Sequence, residues 1–221
     1  MYLPFLGVSK MKKVIATLLF FIMIIAIQIP TLGEILWHDE SRSNINYLNH
    51  FLVSFGVFLV LLIVLWLIYK SLGGEINISS WSSKSIIIAV SGALISQLIQ
   101  YIISYTAQQS TTDPDIFKAL HSSLGPITVI TTLVLSPILE EFLFQGILQA
   151  GILKNLSPVF SILLTAAIFA IIHGFGFNAG TLALFASGLA YATVFWYTAD
   201  LKMAILCHGM SNLIVIILLL L

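Results

Sequence analysis

The sequence predicts an all-α protein: a polytopic bundle of about seven transmembrane helices that forms one integral membrane domain over residues 1–221. Three observations support this fold class. Hydrophobic residues make up 59% of the chain and charged residues only 8%, where soluble domains carry about 25% charged residues. The mean hydropathy is +1.08. Polar or turn-rich stretches separate the apolar ones.

Composition also excludes some classes of function. The formal net charge is zero, so no basic surface indicates nucleic acid as a partner. The single cysteine, Cys207, excludes an internal disulfide. A membrane protein of this length is expected to have membrane lipid around it and to act on something that reaches the bilayer.

The apolar segments define the predicted helices, since a transmembrane helix needs about 20 predominantly apolar residues. The segments span residues 14–30, 50–69, 86–105, 127–149, 158–174, 180–198 and 203–221. The first resembles a signal peptide, but no small-x-small cleavage site follows it, so a retained helix is predicted. Ser157-Pro158 predicts a capped start for the fifth helix.

The sixth segment carries small side chains suited to close helix packing. They are Gly180, Ala183, Ser187, Gly188 and Ala192.

The distribution of basic residues predicts the orientation, because cytoplasmic loops are enriched in Lys and Arg. With a cytoplasmic N-terminus, the inner segments hold Lys10, Lys12, Lys13, Lys70, Lys84, Lys154 and Lys202. The outer segments then hold Arg42 and Lys118. This bias favours a cytoplasmic N-terminus.

Two adjacent carboxylates in the fourth segment are the strongest functional signal. Glu140 and Glu141 lie within the apolar stretch 133–151. An acidic residue at the centre of a membrane helix costs about 2.5–3.5 kcal/mol, and two neighbours also repel each other. Such a pair is expected to face polar partners in the bundle interior. Pro137 precedes it and is expected to open the helix locally.

Helical spacing indicates which residues accompany the glutamates. Residues four apart lie on one face of a helix, which pairs Glu140 with Phe144 and Glu141 with Gln145. The same spacing pairs Phe169 with His173 in the fifth segment and His208 with Asn212 in the seventh. A lone membrane histidine or asparagine is commonly an interhelical hydrogen-bonding group. The combination with two carboxylates instead indicates acid–base chemistry.

The three spacings together resemble those of the CPBP or Abi family of intramembrane proteases. That family includes the type II CAAX prenyl endopeptidases and many bacterial bacteriocin-immunity proteins. The resemblance covers about residues 120–215 and rests on Glu140-Glu141-x-x-Phe144, Phe169-x-x-x-His173 and His208-x-x-x-Asn212. It implies a bacterial cell membrane, a peptide or lipidated-peptide substrate and cleavage of a peptide bond near the membrane.

The resemblance also implies roles for the residues. Glu140 corresponds to the base that activates water, assisted by His173, and Glu141 to an orienting carboxylate. His208 and Asn212 correspond to the groups that stabilise the oxyanion. Hydrolysis of an amide does need a base beside the water and donors at the developing oxyanion.

Gln145 departs from the family pattern, which has arginine at this position. Arginine would form a charge-assisted pair with a carboxylate one turn away, whereas glutamine offers neutral donors. The departure keeps an alternative function open: a catalytically silent immunity or binding protein of the membrane. A proton relay or small transporter is a third alternative, although no inverted repeat supports it.

No cofactor is expected, and zinc is the alternative. Glu140, His173 and His208 would make a donor set of the kind that holds a catalytic zinc with one water. These residues come from three separate segments, however, without the local two-histidine spacing of the zincin motif. The metal-independent glutamate mechanism is therefore favoured.

Overall fold

The computed structural model describes residues 9–30, 47–75, 81–108, 114–174 and 176–220, and every regular element within these ranges is helical. In chain order the helices are α1 Lys10–Ala26, α2 Tyr47–Ser71, α3 Ser83–Ala107, α4 Pro114–Leu120, α5 Gly125–Ile152, α6 Pro158–His173, α7 Ala179–Thr198 and α8 Leu201–Leu220. The all-helical class is thus confirmed. Arg42, used above for orientation, lies outside the described residues.

Five of these helices are long and apolar enough to cross a membrane, namely α2, α3, α5, α7 and α8. This identifies an integral membrane protein. The other two predicted spans correspond to shorter helices, because α6 has 16 residues and α1 has 17, below the ~20 that a bilayer core requires. The expected number of about seven spans is therefore not confirmed.

Helix α5 lies at the centre of the described bundle. Phe144 of α5 packs edge-on against Phe20 of α1, with ring centroids 6.0 Å apart. Phe142 packs in the same way against Tyr69 of α2, at 5.7 Å. Every residue from 139 to 151 is buried, so the glutamate pair lies in the best-enclosed part of the chain.

The hydrogen bonding of α5 is irregular on both sides of the glutamates. Thr131–Leu135 and Phe142–Ile152 have π-helical hydrogen bonding, and one α-helical turn, Ser136–Glu141, lies between them. Pro137 offers a physical reason for the first irregularity, since proline has no N–H to bond the carbonyl of Leu133. The predicted local opening at this proline is thus observed. π-helical turns are frequent at functional sites.

Small residues allow the helices around α5 to approach closely. A Cβ added to Gly188 of α7 would lie 2.9 Å from the Cα of Ala166 in α6. A Cβ at Gly209 of α8 would lie 2.8 Å from the carbonyl oxygen of Leu133 in α5. Neither position therefore has room for a larger side chain. The close approach at Gly188 is the packing that the small residues of the sixth segment predicted.

Helix α8 begins inside the bundle. Leu201, Met203 and Ala204, in its first turn, are all buried. This burial explains how His208 reaches the level of the glutamates although it follows Lys202 by less than two turns.

Candidate active site

The glutamates lie on the short α-helical turn of α5 and differ in exposure. Glu140 is 7% exposed and Glu141 is fully buried. Because successive side chains of a helix diverge by about 100°, the two carboxylates face different neighbours.

Glu140 faces one hydroxyl and two imidazoles. Ser136, one turn earlier in α5, donates its hydroxyl to Oε1. The other oxygen, Oε2, lies 3.4 Å from Nε2 of His173 in α6. It also lies 4.0 Å from Nε2 of His208 in α8. This carboxylate is therefore the point at which the three helices meet.

Glu141 is held by a complementary set of contacts. Its Oε1 lies 2.8 Å from Nδ1 of His208. Its Oε2 accepts a hydrogen bond from Nε2 of Gln145 at 2.6 Å. Both oxygens are thus occupied by fixed partners from within the bundle, which leaves Glu141 no room to contact a substrate.

His173 provides the open side of the site. It is the last residue of α6, and its side chain is 22% exposed, against 6% for His208. Its Nδ1 bonds the carbonyl oxygen of Phe169 at 2.8 Å, and a carbonyl can only accept, so Nδ1 carries the proton. Nε2 then faces the Glu140 carboxylate, and such an approach is favourable when one proton lies between the two groups.

Asn212 lies one turn beyond His208 on α8, but its amide has a different partner. Nδ2 donates to the carbonyl oxygen of Thr132 at 2.8 Å, in the π-helical stretch of α5. The structure thus brings Glu140, Glu141, His173 and His208 together. It places Asn212 beside them with one amide donor already engaged.

Aromatic rings enclose the two histidines. The ring of Phe169 lies 4.3 Å from the ring of His173 and 6.0 Å from that of His208, centroid to centroid. Phe144 packs edge-on against Phe169 at 5.2 Å. The predicted supporting residues Phe144 and Phe169 therefore lie against the site. Gln145, the third of them, binds Glu141 directly.

Sequence reasoning did not identify Ser136 or the Thr132 carbonyl as groups of this site. Ser136 lies at i−4 from Glu140, a spacing that could have indicated the hydrogen bond. The Thr132 carbonyl could not have been found, because its availability depends on the local π-helical backbone.

The zinc alternative stays a prediction. Among the described residues, no three His, Cys, Asp or Glu side chains are arranged to hold a metal ion.

Comparison with known proteins agrees with the motifs. Residues 122–214 match the family model described as Type II CAAX prenyl endopeptidase Rce1-like. The predicted resemblance is therefore confirmed over this region, which contains every candidate site residue. The family that this region resembles is one of CAAX prenyl endopeptidases.

One curated relative is also similar. A 138-residue stretch is 25% identical to the "Putative membrane peptidase YdiL" of Bacillus subtilis (strain 168) and covers 62% of this chain. The chain spans about half of that relative, 54% of its length. No solved structure matches the chain.

Proposed function

We propose that this protein is an intramembrane endopeptidase that hydrolyses a peptide bond without a metal ion, with Glu140 as the general base. The observation that carries the proposal is the contact between Glu140 and His173 on the open side of the site. A base must be partly accessible to the water that it activates. Among the described carboxylates of the bundle interior, Glu140 meets this need and Glu141 does not.

The first step follows from these contacts. A water molecule beside Glu140 loses a proton to the carboxylate while its oxygen attacks the peptide carbonyl carbon. Ser136 and His173 fix the orientation of the carboxylate. The new C–O bond converts the carbonyl into a tetrahedral oxyanion. The proton held by Glu140 then passes to the leaving nitrogen as the C–N bond breaks.

The oxyanion needs donors in a water-poor environment, and His208 is the best placed. Nδ1 of His208 is bonded to the carboxylate of Glu141. This bond orients the ring so that Nε2 points toward Glu140. The ring held in this way directs Nε2 toward the reacting carbonyl, where an N–H at this position would stabilise the oxyanion. Asn212 is a second proposed donor through the amide hydrogen that Thr132 does not use.

The substrate is proposed to be a peptide whose lipid group brings it into the bilayer. The matching family is described as a CAAX prenyl endopeptidase, and the open side at His173 lies within an apolar bundle. A substrate with a prenyl group on a cysteine near its C-terminus suits this position, because the lipid partitions into the surrounding membrane.

A cytoplasmic N-terminus is proposed from the basic residues, and a bacterial cell membrane from the similarity to a Bacillus subtilis protein. Lys154, in the connection after α5, has its pKa lowered by burial and by the nearby charge of Lys13. The two lysines therefore belong to the same end of the bundle, which agrees with the positive-inside assignment.

The test uses purified protein in liposomes and two fluorescence-quenched peptides that differ only in a farnesyl group on cysteine. Wild type is expected to cleave the farnesylated peptide, and Glu140→Gln to lose about 10²- to 10⁴-fold in kcat, the usual contribution of a general base. Glu75→Gln is the matched control, since Glu75 is exposed after α2. Equal rates for wild type and Glu140→Gln would contradict the proposal.

The second candidate function is a catalytically silent binding protein of the immunity type. Gln145 is the observation that favours it, because a neutral amide replaces the charged partner of Glu141. This candidate predicts no cleavage of either peptide by wild type. It also predicts that Glu140→Gln keeps whatever protective phenotype the wild type confers on cells.

A further inference from the structure

Tyr191 of α7 lies against the site although no motif includes it. It is 2% exposed, and its ring stacks on the imidazole of His208, with centroids 4.3 Å apart and planes 16° from parallel. Phe169 meets the same two rings edge-on, at 5.9 Å from Tyr191 and 6.0 Å from His208. The imidazole of His208 is thus covered on one face and bounded on one side.

The tyrosine is itself held by polar partners. The side chains of Ser211 and Ser187 are polar neighbours of its hydroxyl. Ser211 pairs with Ser96 of α3 at 3.3 Å. Ser187 accepts from Gln100 of the same helix at 2.7 Å. This chain of polar groups extends from helix α3 to the side chain of Tyr191.

His208 needs such a constraint. Its bond to Glu141 at Nδ1 is a single contact, and a ring attached at one atom can still tilt about that bond. A tilt would carry Nε2 away from Glu140, which lies 4.0 Å from it. The stacked ring of Tyr191 and the edge-on ring of Phe169 remove this freedom. They do so by packing alone and occupy neither ring nitrogen of His208.

We propose that Tyr191 is a positioning residue that fixes the imidazole plane of His208, so that Nε2 faces the reacting carbonyl. The proposal rests on the proposed peptidase function for its effect on rate. The placement of the His208 ring can be tested by a measurement that does not depend on activity. Tyr191 is enclosed and touches no substrate, so its loss should change kcat and leave KM unaltered.

The kinetic test compares Tyr191→Phe and Tyr191→Leu in liposomes with the farnesylated peptide. Tyr191→Leu removes the stack and is expected to lower kcat by about 10- to 100-fold, the scale of a misplaced catalytic group, with KM within twofold. Tyr191→Phe keeps the stack and should stay within about fivefold of wild type. Tyr197→Leu is the matched control, since Tyr197 is on the same helix and 60% exposed.

A second measurement separates positioning from folding and from function. NMR of histidine-labelled protein reports the ring carbon protons of His208, assigned with a His208→Gln sample, in the inactive Glu140→Gln background. The His208 ring protons are expected to show upfield ring-current shifts when residue 191 is Tyr or Phe. These shifts should be lost when it is Leu. A wild type that cleaves nothing would reject the peptidase function, and the NMR arm would still decide whether Tyr191 holds His208.

Two results would overturn the proposal. One is unchanged histidine shifts in Tyr191→Leu. The other is an equal loss of kcat in Tyr191→Phe and Tyr191→Leu, with equally lowered melting temperatures. That pattern would show that the hydroxyl of Tyr191 supports the fold and that its ring does not position His208.

Discussion

Replacement of Gln145 by methionine should show how much the neutral amide contributes to holding Glu141. Methionine has a similar length and no donor, so Gln145→Met removes the 2.6 Å hydrogen bond to Oε2 with little change of shape. Glu141 is fully buried, so no bulk water can take over this acceptor. Only the contact with His208 at Oε1 would remain.

The expected magnitude follows from this enclosure. A buried acceptor left without its partner costs about 1–3 kcal/mol, and more when it is charged. The free energy of unfolding of Gln145→Met should therefore fall by at least about 1 kcal/mol. If the orientation of His208 depends on a fixed Glu141, the stabilisation of the transition state falls by up to the same free energy. The corresponding loss in kcat/KM is about 5- to 150-fold.

Arginine at the same position should have the opposite effect. Gln145→Arg offers two charge-assisted donors to Glu141 and should leave the protein folded with kcat/KM equal to or above that of wild type. Gln145→Glu, which places a third carboxyl group beside Glu141, should be the least stable variant of the series.

The assay combines thermal unfolding in detergent with cleavage of the farnesylated peptide in liposomes. Gln97→Met is the control, since Gln97 is a half-buried glutamine of α3, outside the site. Wild-type stability and activity in Gln145→Met would refute the reasoning about the amide. A folded but inactive Gln145→Arg would show that this site is built around glutamine, and the family mechanism could not be transferred unchanged.

Three further outcomes are expected from the same assays. Ser136→Ala should lower kcat/KM about 10-fold or more with little change in melting temperature, because a hydrogen bond to a charged group is lost; unchanged kcat/KM would separate the hydroxyl from catalysis. Asn212→Leu should lower the free energy of unfolding by about 1 kcal/mol through Thr132 and kcat by about 10²-fold through the oxyanion; an effect on unfolding alone would assign Asn212 to helix packing. A chelator should leave cleavage intact, and one zinc ion per purified chain by elemental analysis would disprove the metal-free mechanism.

Contacts within one helix were the most predictable part of the site. The spacing of four residues predicted that Gln145 and Phe169 lie beside Glu141 and His173, and both pairs are in hydrogen-bond contact. Such pairs depend only on local geometry, which the sequence determines directly.

Contacts between helices were predicted only as a set. Sequence patterns indicated that the glutamates and histidines converge, but not that His208 binds Glu141 while His173 faces Glu140. That choice depends on the rotation of α6 and α8 about their axes. The rotation is set by close backbone approaches, such as that of Gly188 to Ala166.

The π-helical stretches were the least predictable feature. Pro137 indicated an opening, but a single proline does not determine how many residues change their hydrogen bonds or which carbonyls become available. Thr132 has its carbonyl in this stretch, and Asn212 reaches it from α8. A family motif thus identified Asn212 without revealing the backbone group that it binds.

The cost of burying two adjacent carboxylates is offset by partners from three helices. Each of the four carboxylate oxygens has its own polar neighbour: Ser136 and His173 for Glu140, and His208 and Gln145 for Glu141. Since a buried charge is tolerated only with such partners, the site forms only when α5, α6 and α8 are assembled. In the proposed mechanism, the carboxylate that faces the open side exchanges a proton, and the enclosed one holds the histidine beside it. Burial of this pair therefore couples the folding of the bundle to the geometry that the proposed hydrolysis requires.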